Sequence, residues 1–194
     1  MTLKKAAVKI IEFFTSHEFE GIPFEVVRRR VKYSRVEFKT GGLRVIVPRG
    51  INPFQVLNDN REVILKRHYR LQTQMETAQD ITMMEWSVMD FQIIVTRYLH
   101  TYSAQLNVAA RGIKFRKMKR RWGSCRHDGV ITLNSFLRFL PETLIAYVVY
   151  HELTHLVVHG HNRDFKRVIV QEFPNYRLLD KELNLYGLKL FTRE

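Results

Sequence analysis

The segment from Pro141 to His161 constrains this chain more than any other, because it sets two histidines four residues apart inside a run whose apolar spacing calls for a buried helix. Pro141 suits a first helical turn, and Glu142 favours the positive end of the helix dipole. Leu144, Ile145, Val148, Val149, Leu153 and Leu156 supply a broad apolar surface. A helix is therefore expected over about 141–158. On it, His151 and His155 of the run HELTH share one face, one turn apart. Side chains at that spacing have Cβ atoms roughly 5–6 Å apart. Rotamers bring their ring nitrogens to the roughly 3.3 Å that two ligands of one tetrahedral ion need at about 2.0–2.1 Å each. Glu152 then lies beside the ion without filling a coordination position, placed to take a proton from a water. The plain alternative is a histidine pair over a solvated face, with Glu152 as a surface charge.

A third ligand decides between these readings. Continued helix would leave His159 about 12 Å along the axis from His151, at 1.5 Å per residue, too far to share an ion. Gly160 removes the difficulty, since glycine tolerates the left-handed conformation that ends helices and lets the chain turn back to deliver His161. Asn162 then caps a following helix that carries Phe165, Val168 and Ile169 into the core. His161 is the expected third ligand and His159 the alternative. Three histidines with one position left for water describe a catalytic zinc site, whereas structural zinc is usually closed by four protein ligands.

Four blocks now stand in order: RRWGSC at Arg120–Cys125, GVITLN at Gly129–Asn134, AYVVYHELTHL at Ala146–Leu156 and HxxxF at His161–Phe165. Together they resemble the YgjP-like metallopeptidase family, and VVRRRVKYSRVEFKTGGLRVIVP at Val26–Pro48 resembles that family's N-terminal strands. The pattern HELxHxxxxxHxxxF is also similar to that of the WLM proteases, some of which act on proteins attached to DNA. The resemblance implies a zinc-dependent hydrolase with a zincin-like core, His151, His155 and His161 as ligands and Glu152 as general base. Two residues depart from the pattern: Gly160, where many relatives carry Asn, and Lys166, where an aromatic is common.

The fold expected is α+β, a zincin-like core with a β-rich N-terminal subdomain. Residues 3–16 read as an amphipathic helix, Pro23–Arg30 and Ser34–Thr40 as alternating strands, and Gly41-Gly42 as a hairpin into Leu43–Pro48. Asn52-Pro53 opens a helical stretch to about Gln74, and Glu85–Asn107 carries a second, long enough to back the metal-binding helix. Strands follow at about 113–117 and 129–133, then the HELTH helix, a short helix after Asn162 and a last one over about 175–186. The polar stretch Gln72–Asp80 is the expected boundary, dividing residues 1–75 from a catalytic subdomain 76–194.

Composition limits the setting. The lone Cys125 excludes an internal disulfide and fits a reducing compartment. No signal peptide is evident, and Asp90 and Arg97 interrupt the most apolar later stretch, Trp86–Leu99, so a soluble cytoplasmic protein without membrane contact is expected. A net charge of +13 asks for an anionic partner. Residues 111–126 hold eight Lys or Arg and no acid, and include Trp122, whose ring could stack on a base or a substrate ring. Either nucleic acid or a nucleotide binds there, or the run is a solvated strand edge.

The remaining candidates each carry two readings. Arg121 either stabilises a developing oxyanion or anchors a substrate carboxylate or phosphate, or else forms a buried ion pair or bonds backbone in the RWGSC turn. Cys125 approaches the metal or simply packs. Asn134 bonds backbone at the substrate edge or closes a strand, and Asp164 orients His161 or serves the start of its own helix. The expected activity is metallopeptidase cleavage of a peptide or protein, with Zn2+ or another divalent transition metal, Glu152 as base and Arg121 beside it. The alternatives are a metal-dependent nucleoside triphosphate pyrophosphohydrolase of the UTP type, which the same resemblance brings to mind, and a nucleic-acid-associated protease or binding module.

Overall fold

The computed structural model describes residues 17–39 and 41–191, so the helix expected over 3–16 lies outside the described residues. The chain divides into two compact units, one ending at Gln72 and the next beginning at Thr73.

In the first unit, β1 (His17–Phe19), β2 (Ile22–Arg28), β3 (Arg35–Lys39) and β4 (Gly42–Val47) form a sheet in the order β1-β2-β4-β3. β2 and β4 run parallel, and β3 and β4 form the antiparallel hairpin expected at Gly41-Gly42. Phe24 and Val26 of β2 and Leu43, Val45 and Val47 of β4 are buried together with Leu57 of α1 (Pro53–Asp59) and Ile64 of α2 (Arg61–Asp80). One helical stretch was expected here, and it breaks at Asn60. The Asn60 side chain donates to the Val56 carbonyl at 2.8 Å, the local competition with the backbone that makes asparagine a helix interrupter. α2 then continues through 72–80, so the polar stretch is helical, and the two units divide at its first residue.

The second unit is organised around α4 (Glu142–Val157), whose residues Leu144 to Tyr150 are all buried. A helix apolar on every side must be enclosed. α3 (Val88–Leu106) encloses it on one side, as expected, with Phe91, Ile94, Val95 and Tyr102 in the same core. Burying one such aliphatic side chain contributes about 1.5–3 kcal/mol. Glu142 in the first turn of α4 accepts a hydrogen bond from Tyr98 at 2.7 Å and pairs with Arg97, tying the start of α4 to α3.

A three-stranded sheet, β5 (Gly112–Arg116), β6 (Gly123–Cys125) and β7 (Val130–Asn134), has the order β5-β7-β6, with β7 parallel to β5 and antiparallel to β6. Ile131 and Leu133 of β7 are fully buried, and β6 packs against α4. α5 (Arg163–Glu172) and α6 (Tyr176–Phe191) complete the unit, the last helix running five residues beyond the expected end. β1 and β6 were not anticipated, because three residues give no usable alternation. Among the described residues no helix is long and apolar enough to cross a membrane.

Candidate active site

The half-buried face of α4 that borders the cavity carries His151 and His155, and the chain turns back after the helix at Gly160, whose φ of +78° is the left-handed conformation. His161 comes with it. One ring nitrogen from each of His151, His155 and His161 lies within 4.8 Å of the other two, the one such cluster among the described residues, and Nε2 of His151 is 3.0 Å from Nε2 of His161. His159, the alternative ligand, is exposed and outside the cluster.

Asn162 caps α5 as expected, accepting from the Phe165 N–H at 3.0 Å, and this capped turn aims Phe165 beneath the three imidazoles. Its ring centroid lies 4.9 Å from that of His151, 4.6 Å from His155 and 4.8 Å from His161, stacked on His155. Phe165, read from the sequence as a core residue, is thus also the shared support of the triad. The HxxxF spacing was the available signal.

Burial and the two neighbouring imidazoles push the His151 pKa down to about 3, and burial with His161 lowers that of His155. Both shifts favour the neutral ring, the form of imidazole that ligates a metal. Neutral imidazoles around one point suit a zinc-type cation better than magnesium or calcium, which take oxygen ligands. The donor set fits the implied metal.

Glu152, on the next position of α4, is only 6% exposed. Burial raises its carboxyl to about 8, opposed by the Arg121 charge and by the Cys125 N–H, which donates to the carboxylate. The carboxyl lies against β6 at the one residue that leaves room for it: a Cβ on Gly123 would stand 2.5 Å from Oε1 and 2.6 Å from Cγ of Glu152. Gly123 thus belongs to the site, although RRWGSC on its own suggests only a turn.

Arg121 is exposed and borders the same cavity as Glu152, so it is not a buried ion pair. Its loop is fixed by Asn134, which is fully buried at the end of β7. The Asn134 amide donates to the carbonyls of Met118 and Arg121, each at 2.8 Å, and its oxygen accepts from the N–H groups of Met118 and Phe136. Both amide hydrogens and both lone pairs of the oxygen are thereby engaged, which makes Asn134 the anchor of the Arg121 loop and not merely the end of a strand.

Other sequence candidates settle differently. Trp122 donates its indole N–H to the Leu183 carbonyl at 3.1 Å and packs on Phe191 at 4.7 Å between ring centroids, which ties its ring to α6 at the border of the cavity. The Cys125 thiol, pushed up by burial and by Glu152, is directed at the Arg126 carbonyl at 3.5 Å and is not among the clustered ligands. Asp164 faces Arg167 at 3.2 Å on the surface. Lys114, Arg116 and Arg120 of the basic run are exposed.

The cavity over the triad has a volume of about 710 Å³ and is bordered by Arg121 to His127, by α4 and by Asp180, Leu183 and Asn184 of α6. It is large enough for a short stretch of extended peptide.

Fold and site together fit a metallohydrolase, with three histidines grouped closely enough to hold one ion. The family model described as YgjP-like, metallopeptidase domain, matches residues 56–186, which is more than half of the chain and includes every site residue named above. The chain belongs to the YgjP-like metallopeptidase family, and by that membership it is a hydrolase of the metallopeptidase class. Among solved structures it is similar to the metallopeptidase zymogen of Pyrococcus abyssi abylysin, at 26% identity over 50% of this chain and 94% of that one, with a TM-score of 0.42. It is also similar to the metallopeptidase zymogen of Methanocaldococcus jannaschii jannalysin, at 24% identity over 52% of this chain and 90% of that one, with a TM-score of 0.41. Likenesses this loose add nothing to the family match. No curated protein matches the chain.

Proposed function

We propose that the chain is a zinc peptidase in which His151, His155 and His161 hold the ion, Glu152 is the general base and Arg121 steadies the negative charge that develops on the scissile carbonyl oxygen. The observation that carries this reading is the convergence of three imidazoles beside a buried carboxyl. A zinc ion on three histidines keeps one coordination position open, and supplies Lewis acidity toward a water and a carbonyl.

The chain's own groups do the rest. Glu152 must be a carboxylate to accept a proton, and the Cys125 N–H, the Arg121 charge and any cation at the triad all favour that form. Held between α4 and Gly123, the carboxylate has little freedom, so it takes the proton of the attacking water and returns it to the leaving amine from one position. Arg121 reaches the same cavity with a planar donor fork suited to an oxyanion. The substrate is a peptide or an unfolded protein, and the reduced Cys125 suits the cytoplasm.

Triphosphate chemistry usually recruits magnesium held by carboxylates, and the triad offers only nitrogen. The test compares the zinc-loaded parent with Glu152→Gln on an unfolded protein and on UTP. The parent is expected to cut the protein and leave UTP intact, while the variant keeps its zinc and loses at least about 10²-fold in turnover. A fully active variant, or a parent that consumes UTP and spares every peptide, would overturn the reading.

A further inference from the structure

We infer that Asp180 makes the α6 side of the cavity a binding subsite for a cationic nitrogen of the peptide, close to the bond that is cut; the inference rests on the peptidase reading above. α6 presents Asp180, Leu183 and Asn184 to the cavity, residues three and four apart and therefore on one helical face. Tyr147 connects this face to the metal centre. It stands one turn before His151 on α4, with ring centroids 6.1 Å apart, and its hydroxyl donates to Oδ1 of Asp180 at 2.8 Å. The carboxylate of Asp180 is thus one tyrosine side chain away from a metal-ligand ring, within reach of a residue flanking the scissile bond.

Two features make the group a receptor and not simply a surface acid. Its orientation is fixed in advance: Tyr147 is buried and holds one oxygen, while the Trp122 indole holds the Leu183 carbonyl on the same helix. A binding group that is already ordered loses little entropy when a ligand arrives. Its charge is also uncompensated, since Asp180 has no ion-pair partner among the described residues. Apart from buried Glu152, the other charged side chains bordering the cavity are Arg121 and Arg126. A peptide entering this cleft meets positive charge from the β6 side and a single exposed carboxylate from α6. A lysine or arginine side chain, or a free amino terminus, is drawn to the α6 side, and the Asn184 amide one turn on is available to the adjoining peptide group.

A structural role for the same pair would be a clamp between α4 and α6. Asp180→Asn separates the two, because the amide oxygen still accepts from Tyr147 while the charge is gone. Binding is measured on zinc-loaded Glu152→Gln protein, using fluorescent peptides with blocked ends that differ at one position: lysine, acetyl-lysine or glutamate, moved along the peptide in turn. A further peptide carries acetyl-lysine and a free amino terminus. At one position the lysine peptide is expected to bind about tenfold more tightly than the acetyl-lysine peptide, as for a charge-assisted hydrogen bond in a partly shielded site. That ratio falls to about one with Asp180→Asn added, and Asp180→Lys reverses it in favour of glutamate. A free amino terminus that outcompetes lysine identifies the nitrogen as the chain end and the enzyme as acting there. An unchanged preference in Asp180→Asn, or no preference for a cation at any position, overturns the subsite. Failure of the peptidase reading shows separately, as selective binding by protein with Glu152 intact that leaves each peptide uncut.

Discussion

Replacing Gly123 with alanine tests how tightly Glu152, the proposed general base, is held. The added methyl carbon would stand 2.5 Å from Oε1, 2.6 Å from Cγ and 2.7 Å from Cδ of Glu152. Ordinary contacts of this kind are about 3.5–4.0 Å, so the carboxyl must withdraw by about 1 Å or β6 must leave α4. Glu152 has little free space, being 6% exposed, and withdrawal also strains its bond with the Cys125 N–H. A misplacement of about 1 Å in a reacting group costs roughly 10²-fold in rate, and overpacking of a close contact costs about 1–3 kcal/mol of stability. At about 2–4 °C per kcal/mol for a chain of this size, the melting temperature should fall by a few degrees. No imidazole is touched, so zinc content should match the parent. The assay pairs peptide turnover with metal analysis and a melting curve on the same preparation. Turnover within threefold of the parent would refute the reasoning, and so would loss of zinc in step with activity, since either result means that Gly123 does not act through Glu152.

Glu152→Gln should stabilise the metal-free protein in alkali. The carboxyl lies at about 8 in the fold against an ordinary 4.5, so the folded state binds the extra proton and loses stability as pH rises from about 4.5 through 8. At about 1.4 kcal/mol per pH unit this reaches about 5 kcal/mol as a ceiling. Melting in a chelator should therefore show the variant several degrees above the parent at pH 9 and equal to it near pH 4; equal curves throughout would contradict the burial argument. Asn134→Ala should leave zinc in place yet lower kcat/KM, because the Arg121 loop loses its anchor, and each buried backbone group left unpaired costs about 1–3 kcal/mol, which denaturant melts will register. Phe165→Ala removes the shared support of the triad, and a zinc titration should report a weaker Kd alongside a stability loss of about 3–5 kcal/mol.

The helix that carries His151 and His155 was legible because its signals are local. The apolar run from Leu144 onward, the i, i+4 histidines and the Gly160 exit all act within a few turns of chain, and the fold keeps each of them. The Gly41-Gly42 hairpin and the Asn162 cap were legible for the same reason. What escaped were contacts between segments far apart in sequence. Gly123 acquires its meaning only from Glu152, a residue on another element, and a strand as short as β6 has no periodicity to announce it. Trp122 looked like a stacking platform because its neighbours are basic, yet its partners are Leu183 and Phe191 on the last helix. Asp180 is hidden in the same way, since only the long-range bond with Tyr147 brings it beside the metal centre. The break at Asn60 escaped because the apolar spacing continues across it, while the side-chain bond to the Val56 carbonyl that interrupts the helix leaves no mark on that spacing.

Zinc-edge X-ray absorption on the purified, zinc-loaded protein addresses the metal centre most directly. Three imidazole nitrogens at about 2.0–2.1 Å and one further light-atom ligand are expected, with one nitrogen scatterer lost in His161→Ala. A sulfur at about 2.3 Å, which could come only from Cys125 or a methionine, or a spectrum that His161→Ala leaves unchanged, would contradict a centre built from His151, His155 and His161.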